Sequence, residues 1–155
     1  MNLNLAMVVM ASLPFTVVDK TAPDTAVRHL SGKELSDILN KGKTPESLYS
    51  QAIIAKHDTH IIYMTGRNQS GQAEVHQNWN DNIFIQEGEA SFVVGGNATD
   101  AKEREPGELR GSTISGGNTV TMHPGDYLFV PAGVPHQMMV KPGGWVTFLD
   151  FKTRK

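Results

Sequence analysis

The sequence predicts an all-β fold, a sandwich or barrel of short strands behind a short N-terminal helical segment, and three observations predict it. From Gln51 onward the chain is a series of short segments rich in β-branched and aromatic residues: QAIIAK, HIIYMTG, AEVHQN, NIFIQEGEASFVVGG, NTVTMHPGDYLFVPAG, HQMMV and GWVTFLDF. Gly, Pro, Asn and Asp punctuate them at short intervals, the spacing of strands closed by tight turns. Ahead of them stands a single well-signalled helix. At 155 residues the chain fits one domain, and we divide it into an N-terminal segment, residues 1–50, and a barrel, residues 51–155.

The first segment, MNLNLAMVVMASLPFTVV, has an apolar run with two readings. Its length is that of a signal-peptide core, too short to span a bilayer, so residues 1–26 acting as a signal would send the chain out of the cytoplasm. It lacks a basic start and a clear cleavage site, and the alternation around Phe15 and Val17 equally suits a strand that pairs with a sheet edge or a second subunit. Cytoplasmic and secreted locations both stay open.

The next segment, HLSGKELSDILNKGK, carries Ser31 as N-cap and Glu34 three residues on, the two members of a capping box. Leu30 and Leu35 occupy the staple positions, Leu35, Ile38 and Leu39 form one apolar stripe, and Gly42 is a stop. Thr44 followed by Pro45 suggests a second short helical turn. Within the strand region, Glu87-Gly88 and His123-Pro-Gly-Asp126 read as hairpin turns. The polar stretch from Gly96 to Gly117 reads as a flexible loop or lid, with a solvated hairpin extension favoured.

Composition narrows the function. Fourteen basic and sixteen acidic residues give a net charge of −2, and the basic residues are scattered, which removes the footprint of nucleic acid binding. A small organic molecule is the expected partner, with neither nucleic acid nor membrane. There is no cysteine, so a metal here would be held by His, Asp or Glu.

Glu74, His76 and Asp81 are the chemistry-bearing group. Side chains two apart on a strand share a face, so Glu74 and His76 point the same way and Asp81 can meet them from the next strand. If His136 joins them, four nitrogen and oxygen donors converge, a set suited to Fe, Mn, Ni or Zn. A hydrogen-bonded polar cluster without metal is the alternative. Around them, His60, Tyr63, Arg67, Trp79, Phe84 and Met138 are candidates for a substrate pocket, with Phe92 and Phe148 as further aromatic lining. His60 is placed there by its parity with Ile62 and Met64, and Arg67 because it can clamp a carboxylate through two hydrogen bonds. His29, His57 and His123 lie in turns or near helix ends and are assigned no chemistry.

PGDYLFVPAGVPHQMMV resembles the second conserved motif of the cupins, with Gly125, Pro131, Gly133 and His136 at the family's spacing and Val140 where the family has Asn. IQEG, Ile85 to Gly88, resembles the turn of the first motif, which sets Glu74 at the first histidine position, His76 at the second and Asp81 at the glutamate position. The resemblance covers about Ala52 to Phe151. It implies a cupin-type β-barrel, a double-stranded β-helix or jelly roll, with a divalent metal held inside the barrel near one end by His76, His136, Asp81 and Glu74. The departure is in the ligand set: metal-binding cupins typically have three histidines and one glutamate, and this chain has two histidines and two carboxylates. A metal-dependent isomerase, lyase, decarboxylase or oxygenase is the first reading of function. A metal-free acid and base enzyme using Glu74, Asp81 and His76 is the second, and a non-catalytic ligand-binding barrel the third. The resemblance also implies a homodimer, and an uncovered apolar strand at the N-terminus would suit such a contact.

Overall fold

The computed structural model describes residues 16–17, 27, 29–41 and 49–155. Among them are one helix, α1 (Gly32–Lys41), and fourteen strands. The strands are β1 (Thr16–Val17), β2 (Tyr49–Lys56), β3 (His60–Arg67), β4 (Ala73–His76), β5 (Trp79–Glu87), β6 (Ala90–Val94) and β7 (Asn97–Ala98). They continue with β8 (Lys102–Glu105), β9 (Glu108–Gly111), β10 (Ile114–Ser115), β11 (Asn118–Met122), β12 (Tyr127–Val130), β13 (His136–Met139) and β14 (Val146–Arg154).

Two six-stranded sheets face one another, in the orders β1-β2-β3-β14-β5-β12 and β11-β6-β13-β4-β9-β8, with β7 and β10 paired separately. All pairings but one are antiparallel, the exception being β1 on β2, where Thr16 lies opposite Ala52. The chain changes sheet repeatedly, and the two turns read from sequence as hairpins are such changes. Glu87-Gly88 links β5 of the first sheet to β6 of the second, and residues 123–126 link β11 of the second to β12 of the first. Glycine is needed at both for a positive φ, +76° at Gly88 and +92° at Gly125. At Gly88 space demands it too, since a Cβ there would sit 1.9 Å from the Trp145 carbonyl oxygen. The turns interlock: Gly125 N donates to Ile85 O at 2.9 Å, and Ile85 N donates to Asp126 O at 3.1 Å. A local turn signal announces a reversal, and the hydrogen bonds left open on either side decide which sheet receives the next strand.

Strand alternation sorts residues between the barrel interior and its surface. On β5, Asp81, Ile83 and Ile85 are buried while Phe84 is 39% exposed. Ile83, Ile85, Phe92, Met122, Met138, Val140, Val146 and Phe148, with Ala90, form one apolar cluster between the sheets. The helix α1 lies against β2 and β3, with Leu39 buried and its carbonyl accepting from Ser50 Oγ at 2.7 Å. Its start is the expected capping box: Ser31 N donates to Glu34 Oε2 at 2.8 Å and Glu34 N to Ser31 Oγ at 3.3 Å. The apolar run before Thr16, with Phe15, and the expected stop at Gly42 and helical turn at Thr44 and Pro45 lie outside the described residues.

Candidate functional site

Register assembles the site row by row. Moving along the inner face of the first sheet, Ile61, Lys152 and Asp81 are neighbours, then Tyr63, Asp150 and Ile83, then Thr65, Phe148 and Ile85, and finally Tyr49, Arg67 and Val146. On the facing sheet, His136 pairs with Glu74, Glu74 with Arg110, and His76 with Glu108. The two faces enclose a cavity of about 750 Å³ lined by these polar groups together with Phe92, Met138 and Phe148. Gly133, at a φ of +85°, ends the turn before β13 and donates its N–H to the His76 carbonyl oxygen at 2.8 Å. That bond fastens the start of the His136 strand to the end of the His76 strand.

The ligand atoms of Glu74, His76 and His136 all lie within 4.8 Å of one another. His76 and His136 are nearly shut off from solvent, at 3% and 5% exposure. Each imidazole has its Nδ1 committed. His136 Nδ1 donates to the Val134 carbonyl oxygen at 3.1 Å, and His76 Nδ1 is bonded to Glu108. This pattern sets both tautomers and turns both Nε2 atoms toward the cavity. His76 Nε2 lies 3.2 Å from Glu74 Oε2 and 3.3 Å from Asp81 Oδ2, and His136 Nε2 lies 3.2 Å from the same Asp81 oxygen. Despite this proximity, His76 Nε2 is buried and makes no hydrogen bond of acceptable geometry.

Electrostatics follow from this crowding. Burial opposes charge on His76, but the carboxylates of Asp81, Glu108 and Glu74 packed around the ring outweigh it and lift the pKa to about 10. Burial likewise opposes ionisation of Glu74, yet His76 and Arg110 hold it at about 2. Asp81 is kept well below the carboxylate range by His136, His76 and Lys152 against the cost of its burial. Lys152 Nζ donates to Asp81 Oδ1 and stands 3.8 Å from Asp150 Oδ2. Asp150 goes the other way, raised to about 7 by burial and by the like charge of Asp81, and its Oδ1 has no hydrogen-bond partner.

Of the residues expected in the site, Glu74, His76, Asp81 and His136 converge, and Tyr63, Arg67, Trp79 and Met138 line the same cavity. Asp81 stands apart from the three grouped donors, one oxygen against both imidazoles and the other held by Lys152. Two expected pocket residues are elsewhere. On β3 the inward positions are Ile61, Tyr63, Thr65 and Arg67, so His60 falls on the opposite parity, its Nδ1 3.0 Å from Thr59 Oγ1 and its ring 4.6 Å from that of His57. Residues three apart on a strand cannot share a face, so His60 and Tyr63 were incompatible expectations. Phe84 is on the outer face, its ring 4.7 Å from Tyr127 and 6.1 Å from Phe151.

Glu108, Arg110, Asp150, Lys152 and Tyr49 were not anticipated. The first two lie in the stretch read as a flexible loop or solvated extension. Its outer strand β8 is exposed, but β9 pairs with β4 and places both residues at the site. Asp150 and Lys152 had a readable signal, since they share strand parity with Phe148 in VTFLDFKTR.

No family model matches this chain, and neither does any curated protein sequence. Its fold does match solved structures. A protein with a double-stranded β-helix domain from Klebsiella pneumoniae aligns with a TM-score of 0.56 at 12% identity, covering 83% of this chain and 90% of the other. A cupin superfamily protein from Desulfitobacterium hafniense aligns with a TM-score of 0.53 at 18% identity, covering 76% and 89%. The Cnp3 cupin domain of Schizosaccharomyces pombe aligns with a TM-score of 0.53 at 10% identity, covering 70% of this chain and 63% of that one, less than two thirds of its length. The interlocked sheet changes, the adjacent histidine-bearing strands β4 and β13 and these matches agree on the architecture: this chain has the cupin-type fold, a double-stranded β-helix.

Proposed function

We propose that the chain is an enzyme that acts on a small organic molecule inside the barrel and uses a divalent metal held by Glu74, His76 and His136. The observation that carries this reading is the buried His76 Nε2, which has no hydrogen bond and faces Glu74 alongside His136 Nε2. A buried polar atom left unsatisfied costs about 1–3 kcal/mol, and a cation at the shared focus would remove that cost for His76 Nε2. The donors fit: two nitrogens and a carboxylate oxygen without sulfur suit Fe, Mn, Ni or Zn, and three protein ligands leave a position open for substrate. Such an ion would supply a Lewis acid to polarise a substrate oxygen.

The remaining residues have roles of their own. Glu108 and the Val134 carbonyl orient the imidazoles, and Lys152 neutralises Asp81 so that a second carboxylate can stand beside Glu74. Asp150, with a pKa of about 7, is suited to take or give a proton at neutral pH.

Elemental mass spectrometry on the purified protein and on His136→Ala tests the proposal. Near-stoichiometric metal that is lost in the variant is expected. A wild-type protein that stays metal-free after reconstitution with each of the four ions would overturn it. The second reading, a metal-free acid and base enzyme, draws on the elevated His76 pKa; turnover unchanged by chelation and abolished in Glu74→Gln would favour it.

A further inference from the structure

We infer that the cavity takes an organic acid and that Arg67 grips its carboxylate. The inference names the substrate class of the site proposed above and rests on that reading for its catalytic meaning, while the binding itself does not require metal.

It begins with the partners of the cations that line the cavity. Arg110 is shared by Glu74 at 3.6 Å and Glu108 at 3.4 Å, and Lys152 by Asp81 and Asp150. Arg154 lies over the Trp79 ring, 4.3 Å from its centroid, and donates to the Asp58 carbonyl oxygen at 3.2 Å. Lys56 and Arg104 are exposed. Arg67 is half-buried and, among the described residues, has no acidic partner. Its Nε is shielded from solvent and lacks any hydrogen bond. A cationic fork that lines a cavity with no acid to balance it is completed by what the cavity binds.

The guanidinium is also fixed in place. It sits 5.2 Å from the Tyr49 ring centroid, and Gly71 closes its other side, since a Cβ on Gly71 would lie 2.5 Å from an Arg67 terminal nitrogen. Gly71 is itself pinned: its N–H donates to the Met138 carbonyl oxygen at 2.9 Å, and its carbonyl accepts from Gln137 Nε2 at 2.8 Å. A clamped planar fork matches a carboxylate with two parallel hydrogen bonds. The Tyr49 hydroxyl has no hydrogen-bond partner among the described residues, and burial raises its pKa, so it stays protonated and available as a donor.

The cavity argues for a singly charged acid with an apolar body. Glu74, Asp81, Glu108 and Asp150 line the same space, and their field disfavours a phosphate dianion. Phe92, Met138 and Phe148 provide an apolar wall for the hydrocarbon part.

The test is titration calorimetry of the full chain, zinc-loaded and chelator-treated, with phenylacetate and 4-phenylbutyrate as probes and their primary amides as neutral counterparts. At least one acid is expected to bind about tenfold or more tightly than its amide in both forms. Arg67→Gln should erase that ratio without changing metal content, and Arg67→Lys should recover part of it. If Arg67→Gln does not fold, Arg67→Lys carries the test, with an expected drop in the ratio of about threefold or more. No acid binding, equal binding of acid and amide, or a preference that survives substitution of Arg67 would overturn the inference. A preference confined to the zinc-loaded protein and independent of Arg67 would support the metal site and overturn the role of Arg67. An Arg67-dependent preference in a protein that never takes up metal would do the reverse.

Discussion

The two ends of the barrel are built from the same strands and obey opposite rules. On β14, Val146 and Phe148 enter the apolar cluster, and Asp150, Lys152 and Arg154, on the same face, enter the charged end of the cavity. On β5, Ile85 and Ile83 belong to the first region and Asp81 to the second. Stability therefore comes mainly from one end, where burial is uncompensated gain. The other end buries ions that must be balanced one against another, a costly arrangement that rarely improves on apolar packing. Its persistence in the interior is a physical reason to look for chemistry there.

The sharpest way to break this comparison is to exchange losses between the ends. Ile85→Ala should destabilise the fold by about 3 kcal/mol through the cavity it leaves, visible as a lower Tm, while metal bound per folded molecule is unchanged. A loss of metal in that variant would show that the two ends are not separable.

An effect of similar size and opposite sign is expected at the charged end. The folded protein raises the Asp150 pKa from its ordinary value near 3.8 to about 7. A raised carboxylate contributes its full stability below pH 3.8 and loses it as pH rises toward 7. Asp150→Asn stays neutral throughout, so it should gain on wild type between pH 4 and pH 8 by on the order of 4 kcal/mol, from about 1.4 kcal/mol per pKa unit. Denaturant melts at the two pH values measure it, and a pH-independent difference would contradict the assignment.

The smallest effect probes the joint between the regions. Gly133→Ala meets no steric neighbour, so only its positive φ is penalised, by about 1 kcal/mol. The His136 strand should remain docked and metal content unchanged; a larger loss of stability accompanied by loss of metal would mean that this turn positions the histidine actively.

Much of this is legible in the sequence. The strand segments, the capping box at Ser31 and Glu34, and the convergence of Glu74, His76, Asp81 and His136 follow from alternation, cap chemistry and a motif. Glu108 was hidden because a polar, glycine-rich stretch carries no alternation, and only its pairing with β4 makes it a strand. His60 was misplaced because a histidine at the head of an apolar strand gives no sign of which parity faces inward.

By itself the sequence determined local conformation, since alternation, caps and turn residues act over two to four positions and need no distant partner. Only the tertiary structure decided which turns change sheet, which parity of β3 faces the cavity, and which charges balance. Lys152 meets Asp81 across 71 positions and His76 meets Glu108 across 32, pairings that no local rule encodes, because the sheets must close before the partners come within reach of each other's charge.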